Sequence, residues 1–196
     1  MTQADRRPLL QIIVASTRPG RVGEPVARWF AGYAREHEAF DIEIVDLAEV
    51  DLPMFAEPEH PRFGRYTLDS TRAFSATIAR ADAFAIVHPE YNHSYNAALK
   101  NALDHLNLEW ARKPVTLVGY GGVAAGARAA EALIPVLTAL QMVLAGTVPI
   151  PFAGQRVSGE GDQRRFDAAP ETEAGAKAAL DGLASWLETL GLRGSR

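Results

Sequence analysis

The chain has 196 residues, a formal net charge of −4 and an apolar fraction of 47%, a composition typical of a folded domain with a substantial core. Its positive residues are scattered along the chain, so no nucleic-acid-binding face is predicted. The lack of cysteine excludes disulfides, thiolate nucleophiles and cysteine metal sites, and no window reaches the ~18 apolar residues that a membrane-spanning helix requires.

The first part of the chain alternates strand-like and helix-like patterns. Residues 9–15 are apolar and partly β-branched, which predicts a strand buried on both faces, and apolar residues at helical spacing follow over 24–37. The alternation at 42–47 predicts a more exposed strand. Three prolines exclude regular structure from 52–66, which is expected to be a long loop, and helical spacing resumes over 69–81.

The middle of the chain contains two further strand patterns with a helix between them. The apolar run at 83–88 predicts the third strand, and it leads into the polar sequence HPEYNHS. A helix is expected over 94–110, with Ser94 as its N-cap. The apolar run at 114–120 predicts the fourth strand.

The remaining segments complete the alternation. A glycine-rich stretch opens a helix over 121–141, in which Pro135 should introduce a kink. The fifth strand is predicted at 142–150, and a polar, glycine-rich continuation runs from there to Pro170. The last helix carries leucines at helical spacing and should end at Gly191.

Five strands alternating with five helices predict an α/β fold with a doubly wound parallel sheet and helices on both faces. Right-handed crossovers favour the flavodoxin-like strand order 2-1-3-4-5. No internal repeat or linker divides the chain, so residues 1–196 are expected to form a single domain. The N-terminal stretch 1–10 lacks the apolar core of a signal peptide, and a cytoplasmic protein is therefore expected.

In such sheets ligands bind beyond the carboxyl ends of the strands, and the loop after the first strand has the chemistry of an anion site. Small residues and glycines let backbone N–H groups converge at a helix N-terminus. Ser16 and Thr17 add hydroxyl groups, and Arg18 and Arg21 add guanidinium groups suited to phosphate oxygens. The alternative is an ordinary turn capped by Ser16. The loop lacks P-loop and GxGxxG patterns, so a phosphomonoester fits best.

The loops after strands 3 and 4 would complete a ligand site. Tyr91 offers a flat apolar face, and Asn92 can hydrogen-bond a heterocyclic edge, although a polar loop that merely caps the next helix is the alternative. Gly121 and Gly122 allow a planar ligand to approach the backbone closely, although a glycine-rich helix start would look the same. Together the three loops match the parts of flavin mononucleotide (FMN).

Three segments, ASTRPGRVG, PEYNHSYNAALKNALD and GYGGVAAGAR, resemble the NADPH-dependent FMN reductases of flavodoxin-like fold, which include quinone, azo-dye and chromate reductases. The resemblance runs from about residue 9 to 148, and its second segment is the most specific. It implies a phosphate site at residues 16–23, an isoalloxazine site at 89–93 and contacts to the pyrimidine end at 120–122. The implied cofactor-binding residues are Ser16, Thr17, Arg18, Gly20, Arg21, Val22, Gly23, Pro89, Glu90, Tyr91, Asn92, His93, Tyr120, Gly121 and Gly122.

The chain departs from the family's pattern at several positions. Arg21 stands where a serine is usual and should strengthen phosphate binding. Side-chain hydroxyl contacts at the third loop are replaced by backbone contacts, since that loop has no serine. The positions that differ are Ala15, Arg21, Asn96, Gly119 and Tyr120.

The resemblance implies an FMN-dependent oxidoreductase that passes hydride from NAD(P)H to the flavin and then to a quinone, azo or similar electrophilic acceptor. The alternatives are a flavodoxin-type electron carrier and a flavin-free small-molecule binding module. No catalytic acid or base is predicted, because the chemistry belongs to the flavin. No metal site is predicted either, since the spacing of His88, Glu90 and His93 is not that of a helical HExxH motif. His105 is expected to be structural.

Assembly into a homodimer or homotetramer is also predicted. Relatives of this kind are usually dimers or tetramers, with flavin sites near the interface. The loop 52–66 is too apolar to be an exposed loop that contacts nothing. Either this loop or Trp110 should lie near the flavin site of a neighbouring chain. Its apolar residues are Met54, Phe55, Phe63 and Tyr66.

Overall fold

The five predicted strands form one parallel sheet in the computed structural model, which describes residues 6–192. Their order is β2-β1-β3-β4-β5, which confirms the predicted flavodoxin-like topology. Residues 1–5 and 193–196 of the predicted domain lie outside the described residues. Half of the N-terminal stretch 1–10, which was not expected to be a signal peptide, therefore lies outside them too. The strands are β1 (Leu9–Val14), β2 (Asp41–Asp46), β3 (Ala83–Pro89), β4 (Pro114–Gly121) and β5 (Val143–Pro151).

Helices cover both faces of the sheet and create two separate apolar cores. Alternate strand residues point to opposite faces, so Ile12 packs towards one core and its neighbour Ile13 towards the other. Helices α1 and α6 cover the first core, and α3, α4 and α5 cover the second. Among the described residues no helix is long and apolar enough to cross a membrane. The helices are α1 (Gly23–Glu36), α2 (Leu47–Val50), α3 (Asp69–Ala79), α4 (Ala97–His105), α5 (Ala127–Ala139) and α6 (Pro170–Thr189).

Several element boundaries differ from the predictions. Helix α4 begins at Ala97 rather than at Ser94, so the predicted N-cap at Ser94 is wrong. The reason is that the Ser94 backbone is paired with Tyr91 in a tight turn, which delays the helix. Helix α5 stays continuous across Pro135, and the kink expected there stays a prediction. The stop at Gly191 is confirmed, because its φ of +66° is the left-handed conformation that ends helices.

The polar continuation after β5 contains structure that the sequence patterns do not predict. Two short strands, β6 (Val157–Ser158) and β7 (Arg165–Phe166), pair in antiparallel fashion and form a hairpin. Phe166 is buried, and its ring lies 5.3 Å from that of Trp29 in an edge-to-face arrangement. This aromatic contact docks the hairpin on helix α1.

The loop 52–66 is irregular, as predicted, apart from a single 3₁₀ turn at Pro61–Phe63. A buried carboxylate fixes its course. Glu57 accepts hydrogen bonds from the backbone N–H groups of Thr67 and Leu68 and from the Thr67 hydroxyl, at 2.8–3.0 Å. Burial acts to raise the pKa of Glu57, but these hydrogen bonds outweigh it and lower the pKa to about 2. The carboxylate therefore stays charged and ties the loop to the start of α3.

Replacing Glu57 with Gln should lower the free energy of unfolding at about pH 7 by about 1–3 kcal/mol, because the neutral amide leaves the converging donors poorly satisfied. The folded pKa of about 2 lies below the ordinary value of 4.5. The stabilisation from the Glu57 charge is therefore complete at pH values above 4.5, and it is lost as the pH falls towards the folded-state pKa of about 2. Denaturant titrations of wild type and variant at about pH 7 and about pH 3 measure this difference.

The matched control for this experiment is Glu59→Gln. Glu59 is an exposed carboxylate on the same loop, 3.6 Å from Arg65, and such surface pairs contribute little. A Glu57→Gln destabilisation that kept the same size at both pH values would contradict the role given to the Glu57 charge.

Candidate functional site

Three loops meet at the carboxyl edge of the sheet because β1, β3 and β4 are neighbouring parallel strands. Val14 lies beside Val87, which lies beside Val118, and the Ala15 N–H donates to the Val87 carbonyl at 3.0 Å. The buried side chain of Asn96 then ties the second loop to the first, since its Nδ2 donates to the Ala15 carbonyl at 2.7 Å. The structure therefore brings together the loops that the sequence assigns to a ligand.

The first loop, residues 15–22, has the backbone shape of an anion-binding turn. Residues 18–21 form a type II turn, in which Pro19 presets one φ angle and Gly20 takes a φ of +68°. The turn is closed by the Arg21 N–H, which donates to the Arg18 carbonyl at 3.2 Å. No side chain caps the start of α1 at Val22, so its first N–H groups remain available to an anion. Arg18 is exposed beside them.

Arg21 is positioned differently from the expectation. Its guanidinium pairs with Asp46 at the end of β2, and its Nη1 also donates to the Ser16 carbonyl at 3.0 Å. Both side chains of the pair are largely buried. The added positive charge is therefore compensated within the protein, and Arg21 braces the loop. Only the pairing of β2 with β1 brings Asp46 here, which explains why the local sequence does not reveal it.

The second loop contains a tight turn over residues 91–94. Tyr91 and Ser94 exchange two backbone hydrogen bonds of 2.9 and 3.0 Å, and the two residues between them, Asn92 and His93, have φ values of +50° and +65°. Two successive left-handed residues define a type I′ turn, a conformation that Asn adopts readily. Both side chains are exposed at the edge of the sheet. The turn therefore presents Asn92 and His93 at the edge where a ligand is predicted.

Two side chains of the second loop make contacts that the sequence does not predict. The Tyr91 hydroxyl lies 3.2 Å from Ser16 Oγ, so it bridges the first and second loops. The Glu90 carboxylate accepts from Arg128, at 3.2 Å from its backbone N–H and 3.0 Å from its Nη1. Glu90 therefore caps the start of α5, and its predicted role in cofactor binding stays a prediction.

The third loop presents backbone to the edge while its tyrosine is buried. The Tyr120 side chain points beneath α1, where a Cβ added to Gly23 would lie 2.7 Å from its hydroxyl oxygen. Burial raises the pKa of Tyr120, and its hydroxyl lies within reach of Ser16 and of the Gly23 backbone N–H. Gly122 faces open space, as a backbone surface for a planar ligand requires. Tyr120 can thus reach the loop 15–22 from below.

A buried histidine lies against the start of the third loop. A Cβ at Gly119 would lie 3.0 Å from His88 Cε1, so the imidazole fills the space that a side chain at this position would need. Burial lowers the pKa of His88 to about 4, which keeps the ring neutral. Within the described part of the chain, no cluster of three potential metal-ligating His, Cys, Asp or Glu side chains occurs.

A further segment borders the site without having been predicted. Phe152, directly after β5, has a φ of +49° and a half-exposed ring, and its N–H donates to the Gly122 carbonyl at 3.4 Å. Two residues later, Gly154 lies beside Val22 of the first loop. The segment 152–154 therefore connects the third loop to the first. A lone aromatic residue after a strand is too weak a signal to identify it from sequence.

Comparisons with known proteins agree with this geometry. The family model described as NADPH-dependent FMN reductase matches residues 8–155, a range that includes all three loops. An NAD(P)H-dependent FMN reductase of Schizosaccharomyces pombe is 41% identical over 144 residues, covering 72% of both chains. An FMN-dependent NADPH-azoreductase of Staphylococcus saprophyticus is 31% identical over 143 residues, covering 72% of this chain and 74% of the other. The structure of FerB, a flavoenzyme NAD(P)H:(acceptor) oxidoreductase from Paracoccus denitrificans, superposes with a TM-score of 0.70 at 21% identity, covering 93% of this chain and 98% of the other.

Replacing Arg18 with Ala should weaken FMN binding about tenfold, because a charge-assisted phosphate contact is worth about 1.5–3 kcal/mol and exposure to solvent favours the lower end. Riboflavin, which lacks the phosphate, should bind the variant as it binds the wild type. Fluorescence titration with both ligands measures the two dissociation constants. Arg35→Ala, an exposed arginine at the far end of α1, is the control and should change neither. Equal losses for FMN and riboflavin in Arg18→Ala would rule out the phosphate assignment.

Proposed function

This chain belongs to the NADPH-dependent FMN reductase family and is an FMN-dependent NAD(P)H oxidoreductase, and we propose that its acceptor is a quinone, an azo compound or a similar electrophile. The observation that carries the proposal is the convergence of three loops on one sheet edge, all within the range that the family model matches. The azoreductase relative supports azo compounds directly. Quinones resemble azo compounds in having a flat, conjugated and easily reduced core, so the same site could accept both.

The residues of the site fit the parts of FMN. The loop 15–22, the start of α1 and Arg18 would hold the phosphate, and the buried Tyr120 hydroxyl lies beneath them near Ser16 and Gly23. The turn at 91–94 and the open backbone at Gly122 would border the isoalloxazine. Bound there, FMN would supply the chemistry of hydride transfer from NAD(P)H to the acceptor, while these residues would supply binding and orientation.

The remaining side chains of the site keep this framework rigid. Arg21 and Asn96 brace the first loop, Tyr91 links it to the second, and Glu90 fixes the second to α5. None of these side chains is placed as an acid or base. Two alternatives are an electron carrier and a flavin-free binding module. They differ from a reductase in whether the purified protein contains flavin and whether NADPH reduces that flavin.

The purified full-length protein should show a flavin absorbance spectrum, and anaerobic NADPH or NADH should bleach it. Adding a benzoquinone or an azo dye should then restore the absorbance, because the acceptor takes up the hydride equivalents. Flavin that neither nicotinamide bleaches would indicate an electron carrier. A colourless protein that FMN does not stabilise thermally would indicate a flavin-free module.

The proposal extends to assembly as a homodimer or homotetramer. Met54 and Phe63 in the loop 52–66 are 78% and 49% exposed, and Leu108 beside this loop is 56% exposed. Large apolar side chains left exposed on one loop and on the residue beside it support an interaction surface. Trp110 does not belong to the surface, because it is 1% exposed and packs edge-to-face on Phe84. Trp110 therefore does not supply an exposed contact, and its closeness to a neighbour's site stays a prediction.

A cytoplasmic location, expected from the sequence, also stays part of the proposal. It is supported by a chain that contains no cysteine and hence needs no oxidising compartment to fold.

Light scattering of the wild type at micromolar concentration should give the mass of at least two chains. The double substitution Met54→Glu and Phe63→Glu should yield monomers, because the charges would be desolvated in an apolar contact. Trp186→Gln, which alters an exposed aromatic residue on α6, should leave the mass unchanged. A monomeric wild-type protein would overturn this part of the proposal.

A further inference from the structure

The β6–β7 hairpin lies beyond residue 155, where the match to the family model ends. It nevertheless contacts the loop proposed to bind phosphate. The Nη1 atom of Arg164, the residue just before β7, donates to the backbone carbonyl of Arg21 at 2.8 Å. This side chain therefore links the hairpin to the loop 15–22 across 143 positions in the sequence.

Arg164 is itself held by helix α1. Its backbone carbonyl accepts from Arg28 Nη2 at 2.8 Å, and Nη1 of Arg28 pairs with Glu24 one helical turn earlier. Phe166, two residues after Arg164, is packed on Trp29 of the same helix. The donor that reaches the loop is thus fixed by hydrogen bonds and by aromatic packing.

The contact orients the peptide group that opens helix α1. A trans peptide places its carbonyl and the next N–H on opposite sides, so holding the Arg21 carbonyl towards the hairpin directs the Val22 N–H the other way. The guanidinium of Arg21 is held separately by Asp46 at the end of β2. Two anchors therefore fix the backbone whose N–H groups would face an anion.

We infer that Arg164 is a positioning residue for the phosphate of FMN, acting through the backbone of Arg21 and Val22 from an element outside the matched family region. The inference rests on the proposed function. It differs from a purely structural role of the hairpin, because a loop-positioning contact affects a ligand with a phosphate far more than one without it.

Equilibrium dialysis of the full-length protein against FMN and, separately, against riboflavin distinguishes these roles. Arg164→Met should raise the dissociation constant for FMN about tenfold and that for riboflavin less than about twofold, as expected for loss of one charge-assisted hydrogen bond near the phosphate. Arg164→Lys keeps one charged donor and should restore FMN binding to within about threefold of wild type. Arg165→Met, the exposed neighbour in β7, is the matched control and should change neither constant.

Arg28→Met provides a second route if Arg164→Met folds poorly, since it frees the Arg164 backbone while leaving the arginine in place. It too should weaken FMN more than riboflavin. An unchanged ratio of the two constants in both Met variants would overturn the inference and leave the proposed function intact. A wild type that binds FMN no more tightly than riboflavin would instead overturn the phosphate site itself.

Discussion

The register of three parallel strands is the constraint on which the site depends. β1 pairs with β2 on one side and with β3 on the other, and β1, β3 and β4 reach the same edge in register. The helix after β1 covers one face, whereas α3, before β3, and α4, after it, cover the other. The connections therefore diverge and leave a crevice at the switch in strand order. A shift of one residue would move each strand side chain to the opposite core and would separate the loops.

The loops around this crevice are held in place by side chains that have no predicted part in the reaction. The left-handed turn at Asn92 and His93 is held in one conformation by the contacts around it. The buried amide of Asn96, the Tyr91 hydroxyl and the Arg21–Asp46 pair supply those contacts. A cofactor that performs the chemistry needs such a fixed frame, because orientation is the protein's main contribution.

The sequence predicts whatever is encoded by local periodicity or by a local motif. The strand order, the two-sided burial of β1 and the stop at Gly191 follow from such patterns and are confirmed. Contacts between distant residues could not be predicted. Three contacts of this kind depend on the tertiary fold. They are the Arg21–Asp46 pair, the Glu90–Arg128 pair and the hydrogen bond from Arg164 to the first loop. The start of α4 was misplaced for the same reason, since Ser94 is held in a turn rather than at a helix start.

The central claim, that FMN lies across the three loops, is tested most directly by amide chemical-shift mapping of the labelled protein during titration with FMN. The account predicts the largest changes at residues 16–23, 90–93 and 120–122, with smaller changes along the segment 152–154. The contradictory result would be changes confined to another concave surface, such as the apolar cleft between α5 and β5 that is lined by Ala130, Ile134 and Pro149.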